Sequence, residues 1–218
     1  VGEVLGADAV ATFLRDWSFR YPPLYDAIAG MTAVLAGGEG RLRTLAWQDL
    51  RLSRQSRVLD LCCGPGGATR YLAARFAAVT GLDCNETSLE EARRKAPGAL
   101  FVRARAEAMP FADHSFDLVH TSLAMHEMAP DLRRAIFAEV RRVLAPGGTF
   151  VLIDYHAPTL PLLWPPLALF LWVFETETAW DLIATDLVAE LSEPGFLECE
   201  QRVLVGGSLQ VVRAHSPA

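Results

Sequence analysis

From Arg57 onward the chain alternates short apolar runs with longer amphipathic ones, and this alternation limits the fold more than any other feature. RVLDL, AVTGLD, ALFVRA, FDLVHTS and GTFVLIDY are strand-like, while GATRYLAARFA, SLEEARRKA and DLRRAIFAEVRRVLA carry helical spacing. Strands alternating with helices make a parallel sheet covered on both faces, an α/β architecture. Thr87 to Glu90 and Ser88 to Glu91 each fit a capping box at a helix start. ETAWDLIATDLVAELSE predicts one more helix, and FLECEQRVLV with SLQVVRA around Gly206-Gly207 predicts a closing hairpin. The first fifty residues show no strand signal. They read as helices broken at Tyr21-Pro22-Pro23 and Gly37-Gly38, a helical cap (residues 1–50) ahead of the main domain (residues 51–218).

A chain of 218 residues with 51 % apolar content is enough for one domain with a full core. The net charge of -6 argues against a nucleic-acid partner, because phosphate neutralisation needs a clustered basic surplus. Arg133-Arg134 and Arg141-Arg142 read as the solvated face of a helix. Cys62, Cys63, Cys84 and Cys199 lack the C-x-x-C spacing of a metal knuckle and the framework of a small secreted domain. No metal is expected. Reduced thiols, and an N-terminus without a basic region ahead of an apolar core, point to the cytoplasm. The segment APTLPLLWPPLALFLWVF (157–174) is uncharged, but its prolines leave too short a helix for a span of roughly 20 residues. It is expected not to cross a membrane, and it opens an apolar insert reaching to about residue 185.

The stretch VLDLCCGPGG (58–67) describes a strand, a tight loop and a helix start, the usual place for a nucleotide-like cofactor. A phosphate-gripping loop needs Gly-Lys-Ser/Thr where this chain has Gly66-Gly67-Ala68. A nicotinamide or flavin site wants G-x-G-x-x-G, and counting from Gly64 puts Thr69 in the third place. Asp60 would also face a pyrophosphate with an unhelpful charge. An acid there suits a ligand with a positive amino group, such as S-adenosylmethionine, whose carboxylate can meet open N–H groups where loop becomes helix. Asp83, ending AVTGLD, is placed to accept from both ribose hydroxyls.

With VTGLD, RAEAMPFADHSFDLVHTS and EVRRVLAPGGTFVLID following in order, the chain resembles the class I S-adenosylmethionine-dependent methyltransferases. The likeness is to their ubiquinone/menaquinone methyltransferase-like (methyltransferase type 11) group, from about Ser56 to Ile153. It implies a Rossmann-like, seven-stranded, mostly parallel sheet with helices on both faces and an antiparallel last strand. It also implies Asp60, Cys62, Gly64 and Gly66 around the methionine moiety, Asp83 on the ribose and Cys84 beside adenine. Arg105, Ala106 and Thr121 complete that cofactor set, Ala106 through its main-chain N–H. Two positions depart from the family pattern. Cys62 stands where the loop usually has glycine. Arg105 stands where an acid usually accepts from the adenine amino group, a job that arginine, lacking an acceptor, does not do.

Methyl transfer is an in-line displacement, so an enzyme mainly aligns the acceptor and excludes water. Two histidines follow strand ends on the ligand side of the sheet, His126 after FDLVHTS and His156 after IDY. Either can serve as a base for a phenol, hydroxyl or amine; a hydrogen-bonded structural role is the competing reading. His120, within a strand, reads as packed, Asp154 as a strand-end anchor and Glu175 to Glu177 as the polar end of a helix. Tyr21 and Tyr25 either cap an acceptor pocket or pack. The apolar segment, with Trp164, Phe170, Trp172 and Phe174, suits a greasy pocket for a quinone, isoprenoid, lipid or phenol-like acceptor, collected at a membrane surface. It equally suits packing on the N-terminal helices or a homodimer interface. Two other functions stay open at this point: a catalytically silent cofactor-binding partner protein, and a nicotinamide-dependent oxidoreductase.

Overall fold

The alternating runs resolve, in a computed structural model that describes residues 37–218, into the expected strands and helices. A short helix α1 (Glu39–Thr44) precedes β1 (Arg57–Leu61), α2 (Thr69–Arg75), β2 (Ala78–Asp83), α3 (Glu86–Lys95) and β3 (Leu100–Arg103). Then come β4 (Phe116–Ser122), α4 (Pro130–Val143), β5 (Leu144–Tyr155), α5 (Trp164–Phe174), α6 (Glu177–Ala184), α7 (Leu187–Ser192), β6 (Leu197–Leu204) and β7 (Leu209–His215). The seven strands form one sheet in the order β3-β2-β1-β4-β5-β7-β6. β1 to β5 pair in parallel, and β7 runs antiparallel to both β5 and β6. This is the expected seven-stranded, mostly parallel sheet with an antiparallel last strand, closed by the hairpin at Gly206-Gly207.

Val58, Leu59, Asp60 and Leu61 of β1 are all buried, as are Phe150 to Tyr155 of β5. Central strands covered on both faces carry continuous apolar runs, which is why these segments lack a two-residue alternation. One apolar cluster joins Leu59, Leu61 and Val119 to α4 and α7; the other joins Val58, Leu118 and Val151 to α2 and Leu171 of α5. Leu42, Leu45, Ala46 and Trp47 belong to the second cluster, and the Arg213 guanidinium on β7 donates to Ala46 O and pairs with Asp49. The last part of the expected cap is thus packed on the sheet. Its helix stops at Thr44 and continues as turns, short of the expected end at Leu50. The earlier helices of the cap, with Tyr21 and Tyr25, lie outside the described residues.

Three local readings change. The α3 cap is Asn85, whose side chain accepts from the Ser88 N–H at 3.2 Å, so the helix begins before the expected Thr87 or Ser88 cap. The expected helix from Glu177 is two helices, because the Asp186 carboxylate accepts from the N–H groups of Val188 and Ala189 and starts a new one there. Arg133, expected on a solvated face, is 1 % exposed. Its Nε donates to Glu190 Oε2 at 2.8 Å and its Nη2 lies 3.3 Å from Asp181 Oδ2 and from Thr185 Oγ1. The α6–α7 pair covers the side of α4 that carries it; Arg134 stays exposed, paired with Asp131.

The insert folds as a 3-10 turn at Pro161–Leu163 followed by α5 and α6. Leu162, Leu169 and Trp172 are exposed, whereas Leu171, Leu182 and Ala179 are fully buried. Among the described residues no helix is long and apolar enough to cross a membrane.

Removing one member of a buried ion pair strands the other. Arg133→Ala is therefore expected to lower the unfolding free energy in urea by about 3–5 kcal/mol, while Arg134→Ala changes it by less than about 0.5 kcal/mol. Equal small losses would contradict the buried role of Arg133.

Candidate functional site

At the carboxyl end of β1 the chain turns back over the sheet and enters α2. Three residues of the turn take left-handed backbone: Cys62 (φ 53), Gly64 (φ 51) and Gly66 (φ 78). Glycine is needed at Gly66, where a Cβ would stand 2.9 Å from Cα and Cβ of Ala92 on α3. At Gly64 a Cβ would meet nothing within 4 Å, so the loop there borders open space. Cys62 adopts the left-handed conformation with a side chain, packs against the core cluster below the loop, and has its thiol pushed up by burial and by Asp83.

Two carboxylates fix this turn at two points. Asp60 is 1 % exposed: its Oδ1 accepts from His120 Nδ1 at 2.8 Å and its Oδ2 from Thr69 Oγ1 at 2.5 Å. It braces strand end, neighbouring strand and helix start beneath the loop, where the sequence reading put a contact with an ammonium. Asp83, at the end of β2, accepts from the Gly64 N–H through Oδ2 at 2.8 Å and from the Asn85 N–H through Oδ1 at 2.9 Å. Each of its oxygens keeps a second lone pair.

Around this end lie the other expected cofactor residues. Cys84 is exposed. Ala106 is buried beside Leu82 and Met109, and the Arg105 side chain is about three-quarters exposed and paired with Glu107. Thr121 is buried, and its Oγ1 has no partner among the described residues. The set fits the expected cofactor: carboxylate oxygens with free lone pairs for a diol, and open space against a close-turning backbone. Among the described residues no cluster of His, Cys, Asp and Glu could hold a metal ion.

The second histidine cluster lies at the end of β5. His126 is 4 % exposed in the 3-10 turn after β4. Its Nδ1 is 2.7 Å from Asp154 Oδ1, and its Nε2 is 3.5 Å from Oε2 of Glu175, the residue that follows α5. Asp154 Oδ2 also accepts the main-chain N–H groups of Met125 and His126. Burial opposes charge on this imidazole, but the Asp154 and Glu175 carboxylates outweigh it and lift its pKa to about 10. At neutral pH His126 is a cation, so the carboxylates that hold it also take it out of the protonation state a general base needs. Its ring packs on Tyr155 at 4.6 Å between centroids, and Tyr155 meets Phe170 of α5 edge-on at 5.8 Å. His156 is half-buried and tied to the closing hairpin, its Nδ1 donating to Gly207 O at 2.8 Å and its main-chain N–H to Ser208 O. The side chain of Phe174 lies outside the described residues.

Thr69 and His120 as braces, and Glu175 as a partner of His126, were not read from the sequence as site residues. Only the register Asp60↔His120 between β1 and β4 brings the first set together, and it exists only once the sheet is paired.

Residues 58–148 match a family described as a methyltransferase domain. An uncharacterized methyltransferase of Synechocystis sp. is 46 % identical over 207 residues, which cover 95 % of this chain and 98 % of that protein. A demethylmenaquinone methyltransferase of Clavibacter sepedonicus is 32 % identical over 184 residues, 74 % of each chain. Among solved structures, a Haemonchus contortus phosphoethanolamine N-methyltransferase bound to phosphomonomethylethanolamine and S-adenosylhomocysteine superposes with a TM-score of 0.63 at 15 % identity. That match covers 94 % of this chain and 60 % of the other.

The raised pKa of His126 has a consequence for stability. Between the ordinary value of 6.5 and about 10 the folded chain keeps a proton on His126 that the unfolded chain has released. This contribution is complete below pH 6.5 and is lost as pH rises through 10. Urea midpoints are expected to fall from pH 7 to 10 more steeply for wild type than for His126→Gln; parallel profiles would contradict a buried imidazolium.

Proposed function

Given that the chain belongs to the class I S-adenosylmethionine-dependent methyltransferases, we propose that its methyl acceptor is a small apolar or aromatic molecule of the quinol or phenol class. Neither the nicotinamide reading nor the catalytically silent one is favoured by the matches. The observation that carries the acceptor reading is the wall built at the end of β5. Phe170 of α5, Tyr155 and the charged His126 meet ring to ring in sequence there, beside the uncharged segment 157–174. The demethylmenaquinone methyltransferase among the relatives is named for a quinone.

S-adenosylmethionine, when bound, would supply an activated methyl carbon on a sulfonium: an aligned nucleophile forms its bond to that carbon as the carbon–sulfur bond breaks and S-adenosylhomocysteine leaves. The chain supplies position. Asp83 holds the ribose hydroxyls, Gly64 and Gly66 let the backbone come close, and the Ala106 main chain and Cys84 border the adenine. Asp60, through Thr69 and His120, keeps the turn in that shape. Arg105 stays at the rim with Glu107, and Cys62 and Thr121 line the turn from the core side. On the acceptor side Asp154 and Glu175 hold His126 as a cation, which fixes the end of α5 and the apolar wall with it. The acceptor proton then leaves to water or to His156, and acceptors with an acidic hydroxyl or an electron-rich ring carbon are favoured.

Radiolabelled methyl transfer from S-adenosylmethionine to a panel of hydroquinones, substituted phenols and phosphoethanolamine tests this reading. Turnover is expected with the hydroquinones or phenols and not with phosphoethanolamine. Phe170→Gln is expected to raise the acceptor KM at least tenfold, without changing affinity for S-adenosylhomocysteine. Turnover confined to the polar amine would contradict the apolar wall as the acceptor site.

A further inference from the structure

Arg43 has no role in anything described so far, yet its guanidinium reaches the turn at Gly67. It sits on α1, which is pinned in place: Leu42, Leu45, Ala46 and Trp47 are buried, and Trp47 Nε1 donates to Arg43 O at 3.1 Å. Glu39 at the start of α1 pairs with Arg70 of α2 at 2.9 Å. Thus fixed, α1 holds the Arg43 guanidinium against the loop. A Cβ on Gly67 would stand 3.2 Å from its Cζ and Nη2 and 3.4 Å from its Nε. Its Nη1 makes one long contact, 3.4 Å, with Oγ of Ser122, the last residue of β4. Its Nε is buried without a partner, and among the described residues no carboxylate pairs with it.

A half-buried guanidinium has five donors and no way to lose its charge. Leaving it unpaired is costly unless an anion arrives. The position says which anion. Ser122 ends β4 and Gly67 lies in the turn that follows β1, on the edge where an open α/β sheet receives its ligand. Gly67 is three residues beyond Gly64, the residue held by Asp83. With the ribose on Asp83, an amino-acid end reaching along the same turn would meet the Arg43 guanidinium beside Gly67.

We propose that Arg43 binds the α-carboxylate of S-adenosylmethionine, so that the site selects for the amino-acid end of the cofactor as well as for its adenosine. This replaces the open N–H groups at the loop-to-helix junction as the expected carboxylate partner. It also gives Gly67 a reason: any side chain there would displace the guanidinium. The inference rests on the reading of Asp83 as the ribose ligand, and the experiment separates the two.

The test is calorimetric titration with S-adenosylmethionine and with its decarboxylated form, which keeps adenosine, sulfonium and ammonium. Wild type is expected to prefer the intact cofactor at least tenfold. Arg43→Gln is expected to narrow that preference to less than threefold by weakening the intact cofactor alone, and Arg43→Lys to recover part of it. Thermal unfolding of each variant reports whether the fold persists. Equal weakening of both ligands by Arg43→Gln would reduce Arg43 to a structural residue and overturn the proposal. So would an unchanged preference, or none in wild type. Asp83→Ala is expected to weaken both ligands by the same factor. If it weakens neither while Arg43→Gln removes the preference, the ribose assignment fails and that of Arg43 stands.

Discussion

A single buried carboxylate holds the ligand end of this sheet together. Asp60, next to last in β1, is almost wholly removed from water, and spends one oxygen on His120 of β4 and the other on Thr69 at the start of α2. A carboxylate in such a place is tolerated only when its oxygens are satisfied. The requirement works in reverse as well: the loop between Leu61 and Thr69 must close so that Thr69 returns over the strand end. Asp83, one strand over and less deeply buried, holds the same loop through the Gly64 N–H. One acid sets the shape and the other presents it.

The arrangement repeats on the acceptor side with a different outcome. Asp154 at the end of β5 also grips a histidine, but His126 has a second acid within reach in Glu175, and the two together keep it charged despite its burial. Among the described residues His120 pairs with Asp60 alone, and its Nε2 has no partner. Two Asp–His pairs a short way along the same edge of the sheet thus do different work. The first shapes a turn, and the second ties the apolar insert to the strand it follows.

Much of this was legible in the sequence because it depends on local pattern. Alternating apolar and amphipathic runs fixed the order of strands and helices, and the acid ending AVTGLD was placed correctly at the open end of β2. What stayed hidden depends on what lies opposite. Arg133 has the same local context as Arg134, and only the packing of α7 on α4 separates a buried pair from a solvated charge. Asn85 and Asp186 cap helices in places where the apolar spacing alone suggests a later start and an unbroken helix. His126 was read as a candidate base from its position after a strand; its charge follows from two acids, one of them about fifty residues further on. Arg43, in a stretch read only as part of a cap, becomes a site residue through a glycine more than twenty residues away.

If Asp60 and Asp83 hold the turn, its shape is present before any ligand arrives. Amide hydrogen exchange at Gly64 and Gly66 in the ligand-free chain measures this directly, because their N–H groups donate to Asp83 and to Cys63 O. The expected result is strong protection at both amides without ligand, lost at Gly64 when Asp83 is replaced by Ala and at both when Asp60 is replaced by Ala. Exchange at unstructured rates until S-adenosylhomocysteine is added would contradict it, and would make the ligand, rather than the two carboxylates, the element that forms the turn.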